Sequence, residues 1–239
     1  MPNIENKIPY DRSVLVATDV KASLLQKLVD DTKNVEGIGG YKIGMQLALT
    51  DGLSATVARI KDLTSLPIIF DYQKAGNDIP KIGNTFAEIC REAGVDAAIL
   101  FPFGGGQTVR DWIHALQDQG VGVLVGAHMT QPEFLWDEGG VIHPEGPVRI
   151  FEQAVKAGVT DFVVPGNKVS YVEKYRTLFD ELLGPGNFSL YAPGFITQGG
   201  SISEMAQVAG PNWHAIVGSG IYKATDMRAA AIEATSKIT

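Results

Sequence analysis

Cysteine is almost missing from this chain. One thiol in 239 residues, Cys90, leaves no partner for an intrachain disulfide and points to a reducing compartment. Its setting, Thr85-Phe86-Ala87-Glu88-Ile89-Cys90-Arg91-Glu92-Ala93, has helical spacing, so the thiol reads as a small core side chain. No run of about eighteen apolar residues occurs, which excludes a helical membrane span. The opening Met1-Pro2-Asn3-Ile4-Glu5-Asn6-Lys7-Ile8 lacks the apolar core of a secretion signal, and a soluble, cytoplasmic protein is expected. Basic residues are also short. Only 20 Lys and Arg stand against 27 Asp and Glu, and the net charge of −7 argues against nucleic acid or an anionic membrane as partner. A small anionic ligand stays open, since a local pocket of backbone amides and lysines can oppose the overall field.

Several reactive signatures are missing too. The four histidines, His114, His128, His143 and His214, have no metal-ligand spacing, and His114 lies in a helix pattern. There is no Gly-x-Ser-x-Gly elbow, Walker loop or Gly-x-Gly-x-x-Gly fingerprint. Trp112, Trp136 and Trp213 are scattered and read as packing residues rather than a stacking platform. An apolar content of 45% nevertheless supports a substantial core.

What is present is alternation. Short apolar runs at 13–18, 40–45, 67–71, 97–101, 122–128, 161–164, 189–192 and 215–218 read as strands. Amphipathic stretches at 21–31, 52–63, 81–93, 109–119, 146–157, 169–183, 203–208 and 227–235 read as helices. In the third, Ile82, Phe86, Ile89, Cys90 and Ala93 fall at helical spacing and predict one buried face. Gly94, Gly120, Gly158 and Gly210 close four helices where a left-handed cap is needed. Eight such units without a composition break predict a single (β/α)8 barrel domain over residues 1–239, with parallel strands. A doubly wound open sheet is the alternative, because periodicity does not reveal closure. The long connection from Thr130 to Glu145, with Pro132, Pro144 and several glycines, reads as a loop over a strand end.

In such a barrel, chemistry sits where strands end and helices begin. The most charged of these places is Ile69-Phe70-Asp71-Tyr72-Gln73-Lys74-Ala75-Gly76-Asn77-Asp78-Ile79-Pro80, where a buried strand delivers an acid, a base and a second acid. Charges there are costly unless paired, and paired groups have coupled protonation that proton transfer can use. Lys42 stands inside the second strand pattern and must point into the barrel mouth or cost the core several kcal/mol, roughly. Asp19 closes the first strand, either as a rim acid or as an N-cap for the helix that follows. Two glycine-rich turns, 193–200 and 218–222, follow the seventh and eighth strands. Barrels commonly hold a phosphate between those two loops. Glycine lets backbone N–H groups approach an anion without Cβ interference.

Asp71, Lys74 and Asp78-Ile79-Pro80, with Lys42-Ile43-Gly44, Pro193-Gly194 and Gln198-Gly199-Gly200, resemble the orotidine 5′-phosphate decarboxylase family, especially its short archaeal and bacterial-type chains. The likeness runs from Ala17-Thr18-Asp19 to Val217-Gly218. It implies a cofactor-free, metal-free homodimer of (β/α)8 barrels that converts orotidylate to uridylate and carbon dioxide in pyrimidine synthesis. By the resemblance, Asp71 presses on the substrate carboxylate, while Lys74 stabilises and protonates the C6 carbanion. Lys42 holds Asp71 and a ribose hydroxyl, Asp78 reaches the neighbouring subunit's site, and Asp19 binds ribose. Thr130 reads the pyrimidine edge. Gln198 bridges phosphate and loop, with Pro193, Gly199, Gly200, Gly218 and Ser219 around the phosphate. The physical logic agrees: decarboxylation leaves an electron pair on carbon and needs fixed positive charge and a proton donor there. Lys74 between two carboxylates is expected to stay protonated.

The chain departs from the family pattern in three places. Two residues instead of one separate Asp71 from Lys74, and three instead of two separate Lys74 from Asp78. On a regular strand the extra residue turns Lys74 to the opposite face. A bulge, or an early strand end near Tyr72 allowed by Gly76 and Asn77, restores it. The arginine expected after Val217-Gly218 is Ser219, leaving backbone amides with Lys223 or Lys168 as substitutes. The threonine expected four residues after the second acid is Ile82, while Ile82-Gly83-Asn84-Thr85 follows later. Two other functions fit the same scaffold: a magnesium-dependent lyase or decarboxylase of sugar phosphates, and an inactive phosphorylated-ligand binder.

Overall fold

The computed structural model describes residues 4–195 and 198–238. Eight parallel strands close into a barrel in chain order: β1 (Arg12–Ala17), β2 (Ile38–Ile43), β3 (Ile68–Asp71), β4 (Ala97–Leu100), β5 (Gly122–Gly126), β6 (Asp161–Val163), β7 (Ser189–Ala192) and β8 (Trp213–Val217). β1 pairs with β8, Arg12 opposite Trp213 and Val16 opposite Val217, so the open-sheet alternative is excluded. Each strand is followed by a helix: α1 (Ala22–Thr32), α2 (Leu53–Lys61), α3 (Ile82–Ala93), α4 (Gly106–Asp118), α5 (Glu145–Lys156), α6 (Val169–Leu183), α7 (Ile202–Val208) and α8 (Met227–Thr235). Irregular helical turns at Met45–Leu47 and Ala48–Gly52 precede α2, and a four-residue turn, Ser219–Tyr222, lies between β8 and α8.

Nearly every strand residue is buried, as a sheet covered on both faces requires. Alternate side chains divide between two cores. Leu15, Ile69, Ile99, Leu124, Val163, Tyr191 and Ile216 fill the barrel, and Ile4 and Ile8 of the N-terminal segment belong to the same inner cluster. Val14, Val16, Ile43, Phe162, Leu190 and Ala215 face outward onto the helices. Around β6, Phe162 stacks on Phe179 with ring centroids 3.9 Å apart and Phe151 meets both edge-on.

Two expectations fail on the surface. On α3 the buried stripe is Gly83, Phe86, Ala87, Cys90 and Ala93, while Ile82 and Ile89 are 40% and 50% exposed. Ile82 and Ile89 are seven residues apart and share an outward face, which the spacing alone merged with the core stripe. Trp112 and Trp213 are buried, but Trp136 is 72% exposed on the loop after β5 and is no packing residue. Strand ends move by a residue or two; β5 stops at Gly126 rather than His128, and α4 begins at Gly106, before the apolar pattern starts. No helix among the described residues is long and apolar enough to cross a membrane. Phe179→Ala removes the ring shared by Phe151, Phe162 and Phe188, and is expected to cost ~3–5 kcal/mol in urea unfolding with an unchanged denaturant slope.

Candidate active site

The carboxyl ends of β1, β2 and β3 bring three charges together. Lys42, 6% exposed, donates to Asp71 Oδ2 at 3.0 Å and to Asp19 Oδ2 at 3.3 Å. Burial opposes the ammonium charge, but Asp71 and Asp19 outweigh it and raise the Lys42 pKa. Asp71 spends one oxygen on Lys42; its buried Oδ1 has no hydrogen-bond partner among the described residues. Asp19 is thereby a rim acid and not a helix cap: α1 begins after Lys21 without a side-chain cap. Gly44 makes room for this, since a Cβ there would collide with Asp19 Oδ1.

β3 ends at Asp71, and a turn over Gln73–Gly76 follows. The strand ends early, and its pairings with β2 and β4 show no bulge. Gly76 takes φ +89°, and a Cβ there would lie 2.6 Å from Pro102 Cα. Asn77 fixes the turn by donating Nδ2 to Phe101 O at 2.9 Å and Lys74 O at 3.3 Å. The outcome for Lys74 differs from expectation. Its side chain is exposed, and no ion pair joins it to Asp71 or Asp78 among the described residues. The ammonium held between acids is Lys42. Asp78 is exposed as well, its Oδ1 accepting from Ile79 N at 2.7 Å.

Two adjoining cavities share Asp19, Lys42, Asp71 and Gln73. The larger, about 380 Å³, is also lined by Thr130, Pro193, Gly194, Gln198, Gly218, Ser219, Tyr222 and Lys223. The smaller, about 300 Å³, adds Gly44, Met45, Tyr72 and Lys74. Eight expected site residues thus gather round the main cavity, while Lys74 stands at its neighbour and Asp78, Gly199 and Gly200 line neither. Gly200 instead donates its N–H to Gly194 O at 3.1 Å, closing the turn after β7. Ile196 and Thr197 of that turn lie outside the described residues. Sequence reasoning missed Gln73 and Tyr222. Gln73 lies in the turn beyond β3, so no strand pattern marked it. Among the described residues no group of three or more His, Cys, Asp or Glu is placed to hold a metal.

The loop after β5 is anchored by a second cluster. Lys168, just past β6, donates to Glu138 at 2.7 Å and to His128 Nε2 at 3.0 Å. An ammonium donor requires a lone pair on Nε2, so Nδ1 carries the proton and donates to Tyr175 Oη at 2.9 Å. Burial lowers the His128 pKa to about 4, with Lys168 adding to the effect and Glu138 opposing it. Lys168 is therefore committed here and does not line the cavity. Its neighbour Asn167 donates Nδ2 to Thr130 O at 2.9 Å and Gln198 O at 3.3 Å, tying together the two loops that carry expected ligand contacts.

A parallel eight-stranded barrel with a charged cavity at its strand ends has the build of a barrel enzyme. Residues 12–234 match the model of the orotidine 5′-phosphate decarboxylase / HUMPS family, and the chain belongs to that family. The orotidine 5′-phosphate decarboxylase of Methanosarcina barkeri is 31% identical over 215 residues, covering 89% of this chain and 87% of the relative. That of Pyrococcus abyssi is 29% identical, covering 89% and 91%. Among solved structures, orotidine 5′-monophosphate decarboxylase from Methanocaldococcus jannaschii, complexed with inhibitor BMP, superposes with a TM-score of 0.81 at 22% identity, covering 97% of this chain and 99% of that one.

The His128 environment makes stability depend on pH. An unfolded histidine takes up its proton near pH 6.5, whereas the folded ring resists until about 4. In between, the unfolded state binds more protons, so stability is full above about pH 6.5 and falls as pH drops towards 4. His214, whose pKa burial pushes down to about 3, adds to the same trend. Thermal melts of the parent and His128→Gln over this range are expected to differ in slope, by up to ~3 kcal/mol at the acid end; parallel curves would contradict the assignment.

Proposed function

We propose that this chain decarboxylates orotidine 5′-phosphate to uridine 5′-phosphate, without a cofactor, as part of pyrimidine synthesis. The observation that carries the reading is the buried Lys42 holding Asp71 so that one oxygen, Oδ1, remains unpaired at the strand end. A fixed carboxylate with an unsatisfied oxygen repels a substrate carboxylate set against it, and that repulsion is relieved as carbon dioxide leaves. The bond from C6 to the carboxylate carbon breaks, and its electron pair stays on C6. Lys74, on the turn three residues beyond Asp71, supplies the ammonium that stabilises this charge and then protonates C6. Among the described residues it makes no ion pair, and in this reading ligand binding draws it from the smaller cavity towards Asp71. Lys42 and Asp19 meet the ribose hydroxyls. Thr130 meets the pyrimidine edge, and Gln198 bridges the phosphate and its loop. The glycine turns after β7 and β8 enclose the phosphate, through Gly194, Gly218 and Ser219 on the cavity wall.

The protein acts as a homodimer in this reading, with Asp78 serving the partner's site. Exposed apolar side chains beside Asp78 support an interface there: Ile79 is 62% exposed, and Ile82 and Ile89 follow on one face of α3. The magnesium-dependent sugar-phosphate reading is separated by chelation.

Incubation with orotidylate is expected to yield uridylate and carbon dioxide, with no loss of rate in excess EDTA. Lys74→Ala is expected to lower turnover by at least ~10³-fold while the fold is kept. A well-folded parent that forms no uridylate rejects the reading, and loss of activity on chelation favours the sugar-phosphate alternative. Mixing inactive Lys74→Ala with inactive Asp78→Ala is expected to restore activity, since one hybrid site then has both residues intact. No recovery in a mixture proven to exchange subunits would contradict a shared site.

A further inference from the structure

The charges around the main cavity do not suit an anionic ligand unless one of them is held in reserve. Four charged side chains line it: Asp19, Asp71, Lys42 and Lys223. Lys42 is bound by both acids, so that trio has a net charge of −1 and repels a phosphate. Lys168 is occupied by Glu138 and His128. Of the cations lining the main cavity Lys223 remains, exposed and without an ion pair among the described residues, while Lys74 stands at the adjoining cavity.

Its position fits the need. Lys223 follows the helical turn Ser219–Tyr222, and its backbone N–H bonds Ser219 O at 3.1 Å. Residues four apart in a helical turn lie on one face, and Ser219 and Lys223 both line the main cavity, together with Gly194 and Gln198 of the turn after β7. Serine at 219 itself brings no charge. We propose that the Lys223 ammonium is the counter-charge for the ligand's phosphate group, acting from the end of the helical turn that follows β8. The proposal rests on the function above only in taking the ligand to be phosphorylated.

Calorimetric titration of the parent, Lys223→Ala and Lys223→Arg with ribose 5-phosphate, uridine 5′-phosphate and uridine tests it. A charge-assisted contact predicts that Lys223→Ala loses about ten- to hundred-fold in affinity for both phosphates. Lys223→Arg is expected to retain most of it, and uridine to bind all three alike. Equal phosphate affinity in parent and Lys223→Ala overturns the proposal, as does a parent that binds neither phosphate at millimolar concentration. A parent that turns over no orotidylate, yet loses ribose 5-phosphate affinity in Lys223→Ala, sinks the decarboxylase reading and leaves this contact standing.

Discussion

The buried ammonium of Lys42 is the constraint from which the site is built. A lysine inside a barrel strand is tolerable only with its charge answered, and the ends of β1 and β3 answer it with Asp19 and Asp71. Three neighbouring strands are pinned to one another at their carboxyl ends. The same pairing sets the orientation of Asp71, with one oxygen bonded and one bare. Gly44 completes the arrangement by leaving space for Asp19 against β2. Buried ion pairs are weak evidence of stability. In the proposed function the trio fixes charge where a substrate would enter.

The other wall of the cavity is held differently. Asn167 and Lys168, adjacent in sequence just past β6, reach in opposite directions: the amide to the Thr130 and Gln198 carbonyls, the ammonium to Glu138 and His128. Loops after β5, β6 and β7 are thereby joined by side-chain bonds to backbone and to a neutral, buried imidazole. One half of the rim is held by Lys42 and its two acids, the other by the Lys168–Glu138 ion pair set in a wider polar network. Between them stands the turn after β3, whose Lys74 is the least constrained of the expected catalytic groups.

Much of the barrel was legible because its signals are local. Eight apolar runs separated by amphipathic stretches mark the strands and helices, and closure follows once β1 is seen to pair with β8. Lys42 was readable because a charge inside a strand has so few places to go, and Asp71 because it ends the next one. Asp19 was ambiguous, since an acid before a helix serves equally as a cap; only the distance to Lys42 decides. Spacing alone puts Lys74 between carboxylates, but the turn that begins at Gln73 leaves it exposed. Ile82 and Ile89 share helical spacing with the core stripe, and spacing does not tell an interior face from an adjoining exposed one. The roles of His128, Lys168 and Asn167 depend on contacts among three separate loops, which no local pattern encodes.

In the proposed mechanism the turn after β3 brings the Lys74 ammonium to the bare oxygen of Asp71 once a nucleotide fills the cavity. A crystal structure with uridine 5′-phosphate bound measures this directly. The account predicts Lys74 Nζ within about 2.6–3.2 Å of Asp71 Oδ1 and facing C6 of the pyrimidine. Lys74 left in solvent, with Gln73 alone beside the ring, would contradict it.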